Sequence, residues 1–362
     1  MGGRRVALLF GGRSVEHEVS VVSARGIADA FKETTLEIVP IAVTRCGRWL
    51  PTARSAQLLH SEVARVELPE GEGYVAPAPG VGLVEIDSDG SSSPLEVDVL
   101  FPIMHGWGGE DGRLQGALEL SGVPYVGAGV AGSAVGMDKV FTRRLCEEAG
   151  LPLCDWLACD RDDLAQDSAT IQKRILDELG LPVFVKPSNG GSSVGVIKVE
   201  KAESLAAALD EAARFDRRLV IEKAHNIREI ECAVLGNADA EASVLGEIMP
   251  SNDFYDYAAK YVDNASALQI PAELSAEVTA SIRALALRTF RTLDLAGFAR
   301  IDFFVERDGD GVWLNEVNTL PGFTPISMFP KLWDACGLHY PQLIERLVEL
   351  ALEADRGHPP QL

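Results

Sequence analysis

Arg300, Asp302, Glu316 and Asn318 have the spacing to share one face of a β-hairpin. The runs Phe298 to Glu306 and Val312 to Asn318 flank a Gly- and Asp-rich turn at 307–311. If Glu306 opposes Val312, antiparallel pairing sets Asp302 across from Glu316 and Arg300 across from Asn318. The period of two along each strand then turns all four side chains to the same side. Asp302, Glu316 and Asn318 offer hard oxygen donors, a set that suits Mg²⁺ better than zinc. A solvated face with cross-strand ion pairs is the other reading. Against it stand the apolar alternate residues Ile301, Phe303 and Val317.

A second group of residues could hold phosphate. Gly190 to Gly195 includes Ser192 and Ser193, and such a loop can aim several backbone N–H groups at phosphate oxygens. Val196 follows where a Walker A sequence needs Lys, so this is not a P-loop NTPase. Lys186 ends the strand just before the loop, and the alternative is a flexible connector beside a solvated Lys. Lys139 sits near a helix start, where the dipole disfavours a cation unless an anion binds there. Glu16 lies in the first turn of a helix, where the dipole alone favours a carboxylate. His105 opens an eight-residue stretch to Gly112 with four glycines, which suits a loop folded over a ligand. Residues 253 to 265 read as a closing loop or as an Ω-loop packed by its own side chains. Gly127, Gly129 and Gly132 match the dinucleotide pattern formally. The strand before them is short and no acid ends a second strand, so a tightly packed turn is expected there.

The elements that must position these residues read as α/β. Arg5 to Phe10 forms a buried strand, Ser14 caps a helix, and Glu37 to Val43 forms a second strand, giving a β-α-β unit. Residues 69–96 read as short strands and loops rather than core. Later elements are a strand at Val97 to Met104, a helix at Lys139 to Ala149 and strands at Leu181 to Lys186 and Leu219 to Lys223. A strand at Glu229 to Leu235, a helix at Ala276 to Leu293, the hairpin and a helix near Gln342 to Ala354 complete the chain.

At 362 residues and 47% hydrophobic content the chain can bury one large core or several smaller ones, which excludes disorder and fibre. A net charge of −21, with no Lys/Arg run, excludes nucleic acid and anionic membranes as partners. No stretch reaches the roughly 18–20 apolar residues of a membrane helix. The five apolar residues Val6 to Phe10 are too few for a signal peptide. Six scattered cysteines without a Cys-x-x-Cys pair point to reduced thiols in a cytoplasm.

Several segments in order resemble the D-alanine:D-alanine ligases of the ATP-grasp superfamily, over nearly the whole chain. They are Phe10 to Ser20, His105 to Gly112, Met137 to Lys139, Val185 to Gly195, Phe254 to Tyr261, Arg300 to Asp302 and Asn315 to Met328. The resemblance implies an ATP-grasp fold of three domains. These are an N-terminal parallel-sheet, Rossmann-like domain (1–130), a central α+β ATP-grasp subdomain (131–225) and a C-terminal catalytic domain (226–362). It implies ligation of two D-alanines through an acyl phosphate for peptidoglycan, with ATP and two Mg²⁺ ions that Mn²⁺ could replace, in a cytoplasmic homodimer.

Residue by residue, the resemblance gives Lys139, Lys186 and Ser193 to phosphate, Glu222 and Lys223 to adenine, and Glu229 to ribose. Asp302, Glu316 and Asn318 fall on the metal ligands. Glu16, with Ser192 and Tyr261, falls on the ammonium site of the first D-alanine, with His105 nearby. Arg300 and the Gly322 N–H fall on the oxyanion site. Lys260, Ser327 and the Met328 N–H fall on the second carboxylate. Tyr261 after Lys260 resembles dipeptide-forming members rather than D-lactate-using ones, and D-serine or D-lactate in the second position is the alternative. Ala258 and His225 depart from the commoner family residues.

Overall fold

After Arg5, strand β1 (Arg5–Gly11) is buried at every position, the pattern of a strand covered on both faces. Helix α1 (His17–Phe31) crosses over to β2 (Glu37–Val43), and α2 (Thr52–Leu59) follows. An antiparallel meander of β3 (Tyr74–Ala78), β4 (Gly82–Ile86) and β5 (Ser92–Leu95) precedes β6 (Val99–Pro102). Strands β2, β1 and β6 form a parallel sheet in that order. The meander is not excluded from the core as expected, because Val75 and Leu83 are buried against Leu9 and Leu100. The computed structural model describes residues 3–61, 66, 72–249, 267–309 and 311–354.

Ser14 does not cap α1. Its hydroxyl accepts the Glu16 N–H at 3.1 Å and donates to the His105 carbonyl at 2.7 Å, so it ties two loops together and α1 begins three residues later. The Gly127–Gly132 segment is a packing turn, as expected. Helix α3 (Arg113–Ser121) ends before it, and α4 (Val130–Met137) starts within it, so that Gly132 is helical. A Cβ on Gly132 would stand 2.6 Å from the Asp294 carbonyl oxygen. Gly132→Ala therefore overpacks a backbone contact and is expected to cost about 1–3 kcal/mol, read as a lower Tm in thermal unfolding.

Helix α5 (Lys139–Glu148) leads to a four-stranded sheet in the order β7-β10-β8-β9, formed by β7 (Trp156–Asp160), β8 (Val183–Pro187), β9 (Ile197–Val199) and β10 (Arg218–Lys223). Helices α6 (Arg161–Glu178) and α7 (Leu205–Ala212) pack on it, and its core lies wholly within residues 157–221. A five-stranded antiparallel sheet follows, in the order β13-β12-β11-β14-β15. Its strands are β11 (Ile227–Gly236), β12 (Glu241–Met249), β13 (Ala267–Gln269), β14 (Gly297–Glu306) and β15 (Val312–Asn318). Helix α8 (Ala276–Thr292) covers one face.

The hairpin pairs as expected at its open end, with Asp302 across from Glu316 and Arg300 across from Asn318. At the turn it does not. Val305, not Glu306, opposes Val312, because the Glu306 N–H bonds the Gly311 carbonyl at 2.8 Å and closes the loop one residue earlier. The register shifts between Asp302 and Phe303, where Asn315 is the extra residue of a β-bulge, a device that re-aims side chains beside functional sites.

Helices α9 (Met328–Asp334) and α10 (Tyr340–Glu353) return to the first sheet, burying Leu343, Ile344 and Leu347 in one core with Val6, Leu8 and Phe101. Phe323 packs among Phe101, Phe298, Phe329 and Tyr340. The Tyr340 hydroxyl donates to its carbonyl at 2.6 Å. Gly26 of α1 leaves room for Pro325, whose Cδ would lie 2.8 Å from a Cβ there. These contacts fix the loop between β15 and α9 beside α1.

Candidate active site

A cavity of about 670 Å³ lies where α1 and the loop at 105–110 face the four- and five-stranded sheets. At one end the Ser192 hydroxyl donates to Glu16 Oε1 at 2.6 Å, joining residues 176 positions apart. Ser192 and Ser193 hold φ of +52° and +58°, left-handed conformations that cost non-glycine residues energy and mark a loop shaped for a site. Close approach needs glycine on both sides of the carboxylate. A Cβ on Gly106 would stand 2.6 Å from Glu16 Oε2, and one on Gly191 would stand 3.2 Å away.

Both ring nitrogens of His105 face protein groups, Nδ1 at 2.9 Å from the Leu320 carbonyl and Nε2 at 3.3 Å from the Ser23 hydroxyl. Burial lowers its pKa, against the pull of Glu16 and the Leu320 carbonyl. The neutral ring therefore donates from Nδ1 to Leu320 and accepts from Ser23 at Nε2.

The opposite end is cationic. Asp138 caps α5 by accepting the Val140 and Phe141 N–H groups, and it also takes Ser188 and Arg218. Burial alone would raise its pKa, but these partners hold it below the ordinary carboxylate value. Lys139 is thereby fixed at the helix start. Its ammonium donates to the Gly190 carbonyl at 2.8 Å and lies 3.5 Å from Glu316. Burial lowers the Lys139 pKa; Glu316 opposes that, while Lys186 and Arg143 add to it. An arriving anion relieves that crowding. Lys186 lies 2.6 Å from Glu222, between the rings of Phe184 and Phe304, each 5.9 Å away.

On the hairpin, Arg300 grips Asp302 with two bonds, Nε to Oδ1 at 2.8 Å and Nη2 to Oδ2 at 2.7 Å, and reaches Glu231 at 3.0 Å. The Asn318 amide donates to Asp302 Oδ2 at 2.9 Å. Burial works against the guanidinium charge, yet Asp302 and Glu231 raise its pKa well above the ordinary value. The Asp302 and Glu316 carboxylates with the Asn318 amide are an all-oxygen donor set that fits a hard divalent cation. Gly322 lies beside Ser327, which sits at the N-cap of α9 and accepts the Thr324 N–H at 3.1 Å. Met328 opens that helix, where N–H groups lack intrahelical partners.

The cavity thus brings together Glu16, His105, Lys139, Lys186, Ser192, Ser193, Glu229, Arg300, Asp302, Glu316, Asn318, Gly322, Ser327 and Met328. Glu222 and Lys223 do not line it; Glu222 touches it through Lys186, and the Lys223 N–H bonds the Asp155 carbonyl. Lys260, Tyr261 and the rest of the expected closing loop lie outside the described residues.

Comparison with known proteins bears on this arrangement. The family models for the D-ala D-ala ligase N-terminus and C-terminus match residues 5–128 and 145–349. The chain belongs to the D-alanine–D-alanine ligase family. A D-alanine–D-alanine ligase of Caldicellulosiruptor bescii is 45% identical over 97% of this chain and 96% of its own. D-alanine–D-alanine ligase A of Chromobacterium violaceum is 46% identical over 98% and 97%. The solved D-alanine-D-alanine ligase of Coxiella burnetii superposes with a TM-score of 0.84 at 34% identity, covering 98% of this chain and 95% of that one. The VanG D-Ala:D-Ser ligase of Enterococcus faecalis gives 0.82 at 32%, covering 96% and 99%. The fold is accordingly ATP-grasp.

Within this family frame, three residues escaped the sequence reading. Arg143 forms a buried ion pair with Glu222; its position four after Lys139 on α5 was the available signal. Glu231 follows Glu229 by two on β11 and so shares its face, a signal of strand alternation. Glu110 bonds backbone N–H groups of two separate loops, and no sequence pattern foretells that.

Proposed function

We propose that the chain joins two D-alanines into D-alanyl-D-alanine for the bacterial cell wall, converting ATP to ADP and phosphate. The observation that carries this reading is the cavity itself. A supported carboxylate, Glu16 with Ser192, stands at one end, and two lysines and an oxygen-donor hairpin stand at the other. That layout fits an amino acid whose ammonium lies at Glu16 and whose carboxylate meets a phosphoryl donor.

A carboxylate is a poor electrophile and must be activated. In the first step its oxygen attacks the γ-phosphorus, the bond to ADP breaks, and an acyl phosphate forms. Lys139, Lys186 and the Ser193 loop neutralise the transferred charge. The family is ATP-dependent and needs a divalent metal; Mg²⁺ held by Asp302, Glu316 and Asn318 would screen the phosphoryl charge when bound. Glu229, which lines the cavity, serves ribose, while Glu222 acts by holding Lys186 and the end of β10 at Lys223 lies towards adenine. In the second step the deprotonated amine of the second D-alanine attacks the acyl carbon. Arg300 and the Gly322 N–H receive the oxyanion, and collapse of the intermediate expels phosphate. Lys260, Ser327 and the Met328 N–H hold the second carboxylate, Tyr261 supports the first ammonium with Ser192, and His105 shapes the wall beside it.

We place the enzyme in the cytoplasm as a homodimer. The six free thiols fit that compartment, and no helix among the described residues is long and apolar enough to cross a membrane. For the division at 1–130, 131–225 and 226–362, the separate core within 157–221 supports the middle unit, whereas the outer two share a core.

The test is phosphate release from ATP and Mg²⁺ with D-alanine alone, beside D-alanine with D-serine or D-lactate, products identified by mass. D-alanine alone yielding the dipeptide supports the reading. Release only in a mixed reaction moves it to a D-serine or D-lactate ligase, and release in none overturns it.

A further inference from the structure

Leu320 is held by both of its backbone groups. Its N–H donates to Glu110 Oε1 at 3.0 Å, and its carbonyl accepts from His105 Nδ1 at 2.9 Å. Both partners come from one loop, and Glu110 also braces that loop by accepting the Gly106 N–H on its other oxygen at 2.5 Å. The Leu320 side chain is buried, and a Cβ on Gly127 would stand 3.3 Å from its Cδ2. Pro321 follows, and its ring fixes φ. With Leu320 pinned at both peptide units and Pro321 restricted, little torsional freedom remains before the Gly322 N–H.

We propose that Glu110 is a positioning residue for the ligation step, setting the Gly322 N–H through its bond to Leu320. The proposal rests on the ligase reading above, in which that N–H meets the oxyanion. Only a group that accepts at both oxygens can bridge the two loops. Glutamine must turn an NH₂ towards one of the two N–H donors, leaving a donor facing a donor. Burial and the nearby Glu16 push the Glu110 carboxyl up to about 8, while the bonds from the Gly106 and Leu320 N–H groups pull the other way and favour the carboxylate that accepts at both oxygens.

The experiment measures phosphate and dipeptide separately for Glu110→Gln, with ATP, Mg²⁺ and D-alanine. Acyl phosphate formation does not use the oxyanion site, so the first step continues while the second slows. Dipeptide kcat is expected to fall on the order of 10²-fold, the effect of losing one oxyanion donor in other enzymes. The ATP KM stays within about twofold, since nothing at the phosphate end changes. Phosphate then exceeds dipeptide, because untrapped acyl phosphate hydrolyses. A merely structural role would lower both products together. Glu110→Asp, too short to reach both N–H groups, is the second variant if Glu110→Gln does not fold; it is expected to show the same excess of phosphate.

Wild-type dipeptide rates in both variants would overturn the proposal. So would a one-to-one loss of both products with a raised D-alanine KM, which would make Glu110 a substrate-binding group. A wild-type enzyme that makes no dipeptide in the same assay overturns the ligase reading, and the proposal with it.

Discussion

Arg300→Lys is expected to lower kcat about 10²- to 10³-fold, the range for removing an oxyanion donor, while leaving the protein folded. The guanidinium makes two bonds to Asp302 and a third contact to Glu231, a forked geometry that a single ammonium cannot reproduce. Lysine still supplies the positive charge that both buried carboxylates need, so the loss isolates geometry from charge. Arg300→Ala tests the other half. It removes the buried cation that Asp302 and Glu231 share, and breaking a buried pair in this way costs roughly 3–5 kcal/mol. Thermal unfolding should therefore place Arg300→Ala far below wild type and Arg300→Lys close to it. If Arg300→Lys keeps full turnover, the oxyanion role is wrong.

Glu316→Ala is expected to reduce turnover about 10³-fold or more, since charge stabilisation by a catalytic metal is worth several kcal/mol. Its second effect concerns Lys139. Glu316 is the strongest of the groups that raise the Lys139 pKa, and burial already lowers it. Without Glu316 the ammonium loses its proton at a lower pH, so the alkaline limb of residual activity should move towards neutral. Titrating activity with Mg²⁺ separates the two effects, because a weakened metal site is partly restored by excess metal whereas the Lys139 shift is not. Full activity at ordinary Mg²⁺ concentrations would sink the metal assignment.

The site's legibility followed the range of the contacts that build it. The Asp302–Glu316 and Arg300–Asn318 pairs were readable because alternation with a period of two survives in the residue types. Even there the bulge at Asn315 was not, since the apolar pattern carries no mark of which strand takes the extra residue. Ser14 had the chemistry of a helix cap, yet its hydroxyl serves His105, 91 residues away.

By itself the sequence determined the β-α-β opening, the hairpin face and the close glycine packing at Gly127–Gly132, because each is a local pattern of burial period and turn chemistry. Only the tertiary structure decided that Arg143 and Lys186 share Glu222 and that Glu110 and His105 hold Leu320. Those contacts join segments at least 36 residues apart in the chain, and two of them bind backbone groups that every residue type carries. A buried N–H finds its partner through how the layers pack, and no run of neighbouring residues records that.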